Sequence, residues 1–217
     1  MRILLLIIIF ISCNSHAITI RGQFSSLLDN GAIVPIENND DTHVLVSVAV
    51  REIESPETNK VIEMQGGELL FTPSKQIIRK KSKAKFNFTF NGERGDRERY
   101  FSVAFSQMPT NGLTRKDAAQ EAKQGHITAS IGVGYVLTLP PKNPRQQYLL
   151  NRKGITNVGN ITLLVRAHGK SEKGSDLSFV LPLLPNKTIS LKKFGHKNEV
   201  VGRVEGIKTE SFILQPE

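Results

Sequence analysis

The sequence predicts an all-β protein, and three observations predict it. Short runs rich in Val, Ile, Phe and Thr recur along most of the chain, turn residues separate them, and several alternate apolar with polar residues. Period-two alternation sends successive side chains to opposite faces of a strand, so each such run has one face to bury. Phe86, Phe88 and Phe90, interleaved with Asn87 and Thr89, are an instance.

The segment ahead of the strands is of another kind. Arg2 is followed by the apolar run Leu4 to Ile11 and then by Ser15-His16-Ala17, a small-x-small ending. That is the layout of a secretory signal peptide, residues 1–17, with cleavage expected near Ala17. The apolar run is too short to span a bilayer as a helix, and no later segment approaches the ~20 apolar residues that spanning needs, so membrane insertion is not expected. Cys13, the single cysteine, invites a lipoprotein reading, against which stands Phe10-Ile11-Ser12, without the leucine usually found three residues upstream. Cleavage after Ala17 leaves a chain with no cysteine, which fits a bacterial periplasm better than a secreted eukaryotic domain and leaves burial alone to hold the fold.

From there strands are expected at residues 32–37, 43–53, 60–64, 68–72, 83–90, 99–106 and 127–139, separated by turns such as Asn38-Asn39-Asp40-Asp41, Ser55-Pro56 and Asn91-Gly92. Seven short strands over about 120 residues predict an immunoglobulin-like sandwich. The exception is TRKDAAQEAK, residues 114–123, where Thr114 followed three residues later by Asp117 predicts a capped helix within a long connection. Pro140-Pro141 and Pro144 then stop the strand and remove backbone donors, as a stiff elbow requires. The division that follows is a first domain at 18–141 and a smaller β-sandwich at 142–217. Strands of the second are expected at 146–150, 154–157, 160–168, 176–181, 188–191, 202–207 and 211–214. So short a domain buries proportionally little surface, and it is expected to lean on the first.

The formal charge is +9, densest at Arg79-Lys80-Lys81-Ser82-Lys83-Ala84-Lys85. A basic surface favours an acidic partner, an anionic membrane surface or nucleic acid, and export argues against nucleic acid as a partner. A solvated turn guarding a strand edge accounts for the same lysines.

In HITASIGVGYVLTLPP, residues 126–141, the apolar Ile127, Ala129, Ile131 and Val133 alternate with Thr128, Ser130, Gly132 and Gly134. Such a strand packs its apolar face into its own domain or presents it to a partner, and periodicity leaves both open. Gly132 and Gly134 mark a close backbone approach or a bulge.

The order of parts resembles the periplasmic chaperones of the chaperone-usher pathway, which assemble adhesive pili on Gram-negative bacteria. ELLFTPSKQIIRKKSKAKFNFTF followed by GDRERYFSVAFSQMP is similar to that family's Pro-containing segment, subunit-proximal strand, and acidic and aromatic pair before an apolar strand. Thr156-Asn157-Val158-Gly159-Asn160 resembles the opening of its second domain. Ile53-Glu54-Ser55-Pro56, the ERYF at 98–101 and the missing disulfide resemble the common-pilus, or alpha-type, branch.

The resemblance implies two immunoglobulin-like domains in an L-shaped, boomerang arrangement, working in the periplasm. The chaperone would lend a strand to pilin subunits that lack their last one, a strand addition at a sheet edge, and deliver them to an outer-membrane usher. By its place before the elbow, the lent strand carries Ile127, Ala129, Ile131 and Val133. When free, an exposed apolar edge invites self-association. Family members anchor the subunit's terminal carboxylate with two basic residues. Arg21 is the nearest candidate for one, although Gly22 falls at the position itself. The other falls at Val136, so Arg21 acts alone or is joined by Arg115, Lys116 or Lys123. Glu98 corresponds to an acidic residue of an interdomain salt-bridge network whose usual arginine is here Asn87.

Catalysis finds no support in the sequence. There is no G-x-S-x-G elbow, H-E-x-x-H pair or phosphate-binding loop. His43, His126, His168 and His196 lack ligand spacing, and Asp40-Asp41 lies in a turn, so neither a metal nor another cofactor is expected. The alternative function is a secreted structural or adhesive subunit of a pilus. A subunit would carry a longer alternating extension than ITIRGQFSSLL and a single incomplete domain.

Overall fold

Sixteen strands and no helix make up the described residues of the computed structural model, which are 18–22, 24–63, 68–110, 131–195 and 197–216. The first nine are β1 (Ile18–Ile20), β2 (Phe24–Ser26), β3 (Gly31–Asn38), β4 (Val44–Ile53), β5 (Leu69–Thr72), β6 (Lys75–Ile78), β7 (Ser82–Phe90), β8 (Arg99–Pro109) and β9 (Ile131–Leu139). They form a four-stranded sheet in the order β1-β3-β7-β5 and a five-stranded sheet in the order β2-β9-β8-β4-β6. Between the sheets the alternation in β7 does what its period requires. Phe86, Phe88 and Phe90 are buried, and Phe86 and Phe88 meet Phe105 of β8 edge-on, with ring centroids 5.4 and 6.3 Å apart. Asn87 and Thr89 face outward.

The remaining strands are β10 (Tyr148–Asn151), β11 (Gly154–Asn157), β12 (Leu163–Lys170), β13 (Asp176–Leu183), β14 (Thr188–Ser190), β15 (Val200–Glu205) and β16 (Thr209–Leu214). A three-stranded sheet, β10-β11-β14, faces a four-stranded one, β13-β12-β15-β16, around Ile155, Leu163, Val165 and Val204. The turn that leads into β12 is tied down from inside. The buried Asn157 amide donates to the carbonyls of Ile161 and Leu183 at 2.7 and 2.9 Å, while its oxygen accepts the Gly159 N–H at 2.9 Å. Gly159 must be glycine because a Cβ there would strike the carbonyl oxygen of Arg145, in the segment between β9 and β10.

The two sandwiches touch through a small apolar cluster, Ile53 and Tyr100 from one and Leu184 from the other, and through an ion pair between Glu57 and Lys187 at 2.8 Å. That contact gives the smaller sandwich the support its size requires.

Three short strands, β1, β2 and β6, escaped the sequence reading: β1 and β2 are split by the Arg21-Gly22 crossover, and β6, KQII, does not alternate. The expected strand at 60–64 is reduced to one isolated bridge between Val61 and Ile53. Val61 and Ile62 stay exposed because the hairpin through Ser55 only lays them along the end of β4, with no sheet face to cover them. Strand 160–168 begins instead at Leu163, because Asn160 is spent on capping the elbow through bonds with Arg145 and Asn143. The helix expected at 114–123 lies outside the described residues, as do Ile127 and Ala129.

Candidate partner-binding site

The site is built around β9 because its two edges are treated differently. Along one edge β9 pairs antiparallel with β8 throughout, from Gln107 opposite Ile131 to Arg99 opposite Leu139. On the other edge β2 pairs with it in parallel, and only at Val136, Leu137 and Thr138. The Leu27 N–H extends that contact to the Thr138 carbonyl at 2.8 Å. Residues 131–135 have no strand on this side among the described residues. The reason is local: Gly22, at φ +78°, turns the chain out of the other sheet just before β2, so β2 enters too late to cover more. An uncovered strand edge is a template for another chain.

The faces of β9 follow the same division. Leu137 and Leu139 are fully buried and Tyr135 nearly so, whereas Val133 is half-buried against the same core. Gly132 and Gly134, on the opposite face, have no atom of another residue within 4 Å of where a Cβ would stand. The close approach expected at these glycines is therefore not made within the described chain. They leave that side of the strand bare.

Beside the open edge lies a cleft of about 960 Å³, and both sandwiches line it. Gly134 and Val136 of β9, Arg21, and Arg166 and Glu205 of the second sandwich are among its walls. Arg21 sits in the crossover between β1 and β2 rather than on a strand, its side chain 74% exposed, and pairs with Glu37 at 3.3 Å. Glu37 also receives Lys83, and these two cations, Lys83 foremost, hold its carboxyl below the usual range. Across the cleft Glu205 accepts both Arg166 at 2.8 Å and Arg203 at 2.7 Å. Val136 contributes no charge, as its sequence position foretold, and Arg115, Lys116 and Lys123 lie outside the described residues. Arg166 drew no attention in the sequence, for nothing local marks a residue of the far sandwich as a neighbour of β9.

Glu98, immediately before β8, spans the junction of the sandwiches by hydrogen bonds in place of a salt bridge. Its Oε2 accepts the Thr162 N–H at 2.8 Å, the Thr162 hydroxyl at 2.6 Å and the Tyr100 hydroxyl at 2.9 Å. Burial pushes its carboxyl up, and these donors oppose the shift without cancelling it. Burial, with Glu98 beside it, raises the Tyr100 phenol as well. Asn87, standing where an arginine would complete the network, faces outward on β7.

The arginine of this region is the next residue along. Arg99 binds Glu52 through two bonds of 2.8 and 2.7 Å, reaches Glu68 at 2.7 Å, and lies over the rings of Phe90 and Phe101 at 5.4 and 5.5 Å. The Glu52 pairing raises its already high pKa. Strand alternation could have flagged it, since Glu98 and Tyr100 share one side and Arg99 must take the other. The basic run at 79–85 forms the β6–β7 turn and the start of β7, where Lys81 and Lys83 pair with Asp41 and Glu37. Among the described residues no group of three or more His, Cys, Asp or Glu is placed to hold a metal ion.

Two sandwiches joined through a proline elbow, with a half-open strand running down to the junction, are the architecture that the resemblance to the fimbrial chaperones implied. The chain's relatives in sequence make that resemblance specific. It is 26% identical over 200 residues to the probable fimbrial chaperone EcpB of Klebsiella pneumoniae (strain 342), an alignment covering 88% of each chain. Among solved structures, the periplasmic chaperone SfaE superposes with a TM-score of 0.54 at 13% identity, over 91% of this chain and 98% of that one. A chain from the Salmonella enterica complex of SafA pilin with the SafB chaperone gives 0.51 at 13% identity, over 92% and 97%. At such identities the structural likeness speaks for the fold. No protein-family model matches the chain. The chain is a homologue of the fimbrial chaperones.

Proposed function

We propose that this chain is an exported, periplasmic chaperone that binds pilus subunits by strand addition at β9 and delivers them to an outer-membrane usher. The observation that carries the reading is the half-open edge of β9, along which residues 131–135 have no strand partner among the described residues, as strand addition requires. Homology to fimbrial chaperones over nearly the whole chain supports it, and the same coverage disfavours the alternative of a pilus subunit, which would not need a second sandwich.

The donated side chains are Ile127, Ala129, Ile131 and Val133. Each large apolar one is worth roughly 1.5–3 kcal/mol when buried in a subunit groove, less the ordering cost of association. Val133, already half-covered by its own core, contributes least. Arg21 is an anchor for the subunit's terminal carboxylate, and Glu98 holds the two domains, divided at Pro140-Pro141, in their L-shaped arrangement. Residues 1–17 direct export and are removed near Ala17. No catalytic step is assigned: the strand's own burial energy drives the association.

Co-expression with a pilin subunit encoded beside this chain's gene tests the reading. The unaltered chain should yield a soluble one-to-one complex, and Ile131→Asp should remain folded yet fail to keep the subunit soluble. A variant that loses its own fold instead would place that face inside its parent sandwich and defeat the proposal.

A further inference from the structure

A carboxylate taken into a protein interior is ordinarily matched by a cation. Glu98 has none among the described residues. Its donors are the N–H and hydroxyl of Thr162 and the hydroxyls of Tyr100 and Thr138, all neutral. Arg99, its neighbour in the chain, turns to Glu52 and Glu68 instead. Three of the bonds fall on Oε2, so Oε1, which takes at most the Thr138 hydroxyl, keeps an acceptor site in hand. Glu98 also lines a cavity of about 160 Å³ at the junction of the sandwiches. Phe24, Leu28 and Pro140 wall it from one side and Ile161 and Leu164 from the other, so its surface is largely apolar. Among the described residues no lysine, arginine or histidine lines it, and the second carboxylate there, Glu205, is already paired with Arg166 and Arg203. Such a volume holds one molecule of about benzene's size, and sites of this kind gather between domains. The molecule that fits has a hydrocarbon body for the walls and one positive donor for Glu98.

We infer that this cavity is a binding site for a small primary ammonium ion with a chain or ring of about four to six carbons, its charge on the Glu98 carboxylate and its body against Leu28, Pro140 and Leu164. The ligand supplies the cation that the junction lacks. Burial holds the Glu98 carboxyl up, the state expected of a carboxylate short of a positive neighbour. Because the walls come from both sandwiches, the ligand binds only while the two are joined, and by mass action it stabilises that joined state. Phe24 stands in the wall and is also the β2 residue opposite Val136, so the ligand braces the strand that closes the edge of β9. The inference needs the two-sandwich architecture and is independent of the chaperone reading.

Titration calorimetry near neutral pH, on the chain without residues 1–17, tests the site with n-butylammonium chloride and with n-butanol as its uncharged match. Butylammonium should bind one site per chain with roughly millimolar affinity. Butanol should bind about tenfold more weakly, the size of one charge-assisted hydrogen bond. Glu98→Gln keeps the shape of the side chain and should lose that tenfold preference. Leu28→Trp, at a half-exposed side chain of the wall, should fill the cavity and abolish binding of both compounds. Butylammonium should also raise the urea-unfolding midpoint of the parent chain and leave that of Glu98→Gln unmoved. Should Glu98→Gln fail to fold, the amine-to-alcohol ratio of the parent chain and the Leu28→Trp variant decide by themselves. Equal binding of amine and alcohol, amine binding undiminished in either variant, or no binding at tens of millimolar amine overturns the inference.

Discussion

The two halves of β9 share one alternating pattern and have different neighbours. From Val136 to Leu139 the strand has a partner on both edges for most of its length, and its inward side chains are fully enclosed. From Ile131 to Tyr135 one edge has no strand among the described residues, the outward positions are the glycines 132 and 134, and burial fades to the half-buried Val133. The difference teaches that a single strand can be core at one end and interface at the other. What separates the two uses is where β2 starts, together with the change on the outward side from Gly132 and Gly134 to Val136 and Thr138.

Substitutions along the strand should therefore divide between stability and binding. Leu137→Ala removes a fully buried side chain from the closed half, and the largest effect is expected there: about 3 kcal/mol lost from folding, read as a lower midpoint in urea unfolding. A loss under about 1 kcal/mol would mean that the closed half is not core. Val133→Ala, at the boundary, should cost about 1 kcal/mol, with a measurable fall in subunit recovery as well. A large stability loss with recovery unchanged would move the boundary up the strand and shrink the donated part.

The smallest effect concerns the junction below the closed half. Burial raises the Glu98 carboxyl above its ordinary 4.5, so the native state holds that proton more tightly than the unfolded chain does. Its contribution is fully present below about pH 4.5 and is lost as the pH rises through the folded value. Glu98→Gln cannot titrate, so the stability difference between the parent chain and this variant should move in the parent's favour, by under about 1 kcal/mol, on going from pH 7 to pH 4.5. Parallel stability curves over that range would show that the carboxylate is not strained by burial.

Much of the fold was legible in the residues because burial writes a period into strands. The inward Phe86, Phe88 and Phe90 and the exact span of β11 at 154–157 could be read without coordinates. Three of the short strands could not: β6, KQII, has no alternation, and β1 and β2 are split by the Arg21-Gly22 crossover. At the candidate site, the sequence marked β9 and Glu98 but missed Arg99 and Arg166, whose partners Glu52, Glu68 and Glu205 are 47, 31 and 39 residues distant.

By itself, then, the sequence determined that this protein is built of strands, that an apolar stripe precedes a proline elbow, and that β9 carries no cation at Val136. Those properties depend on side-chain chemistry and near neighbours. Only the tertiary structure decided which edge of β9 stays open, that hydroxyls rather than an arginine hold Glu98, and that Arg166 shares a cleft with Arg21. Each of these depends on long-range pairing, and pairing is settled by which surfaces can be buried together across the whole chain.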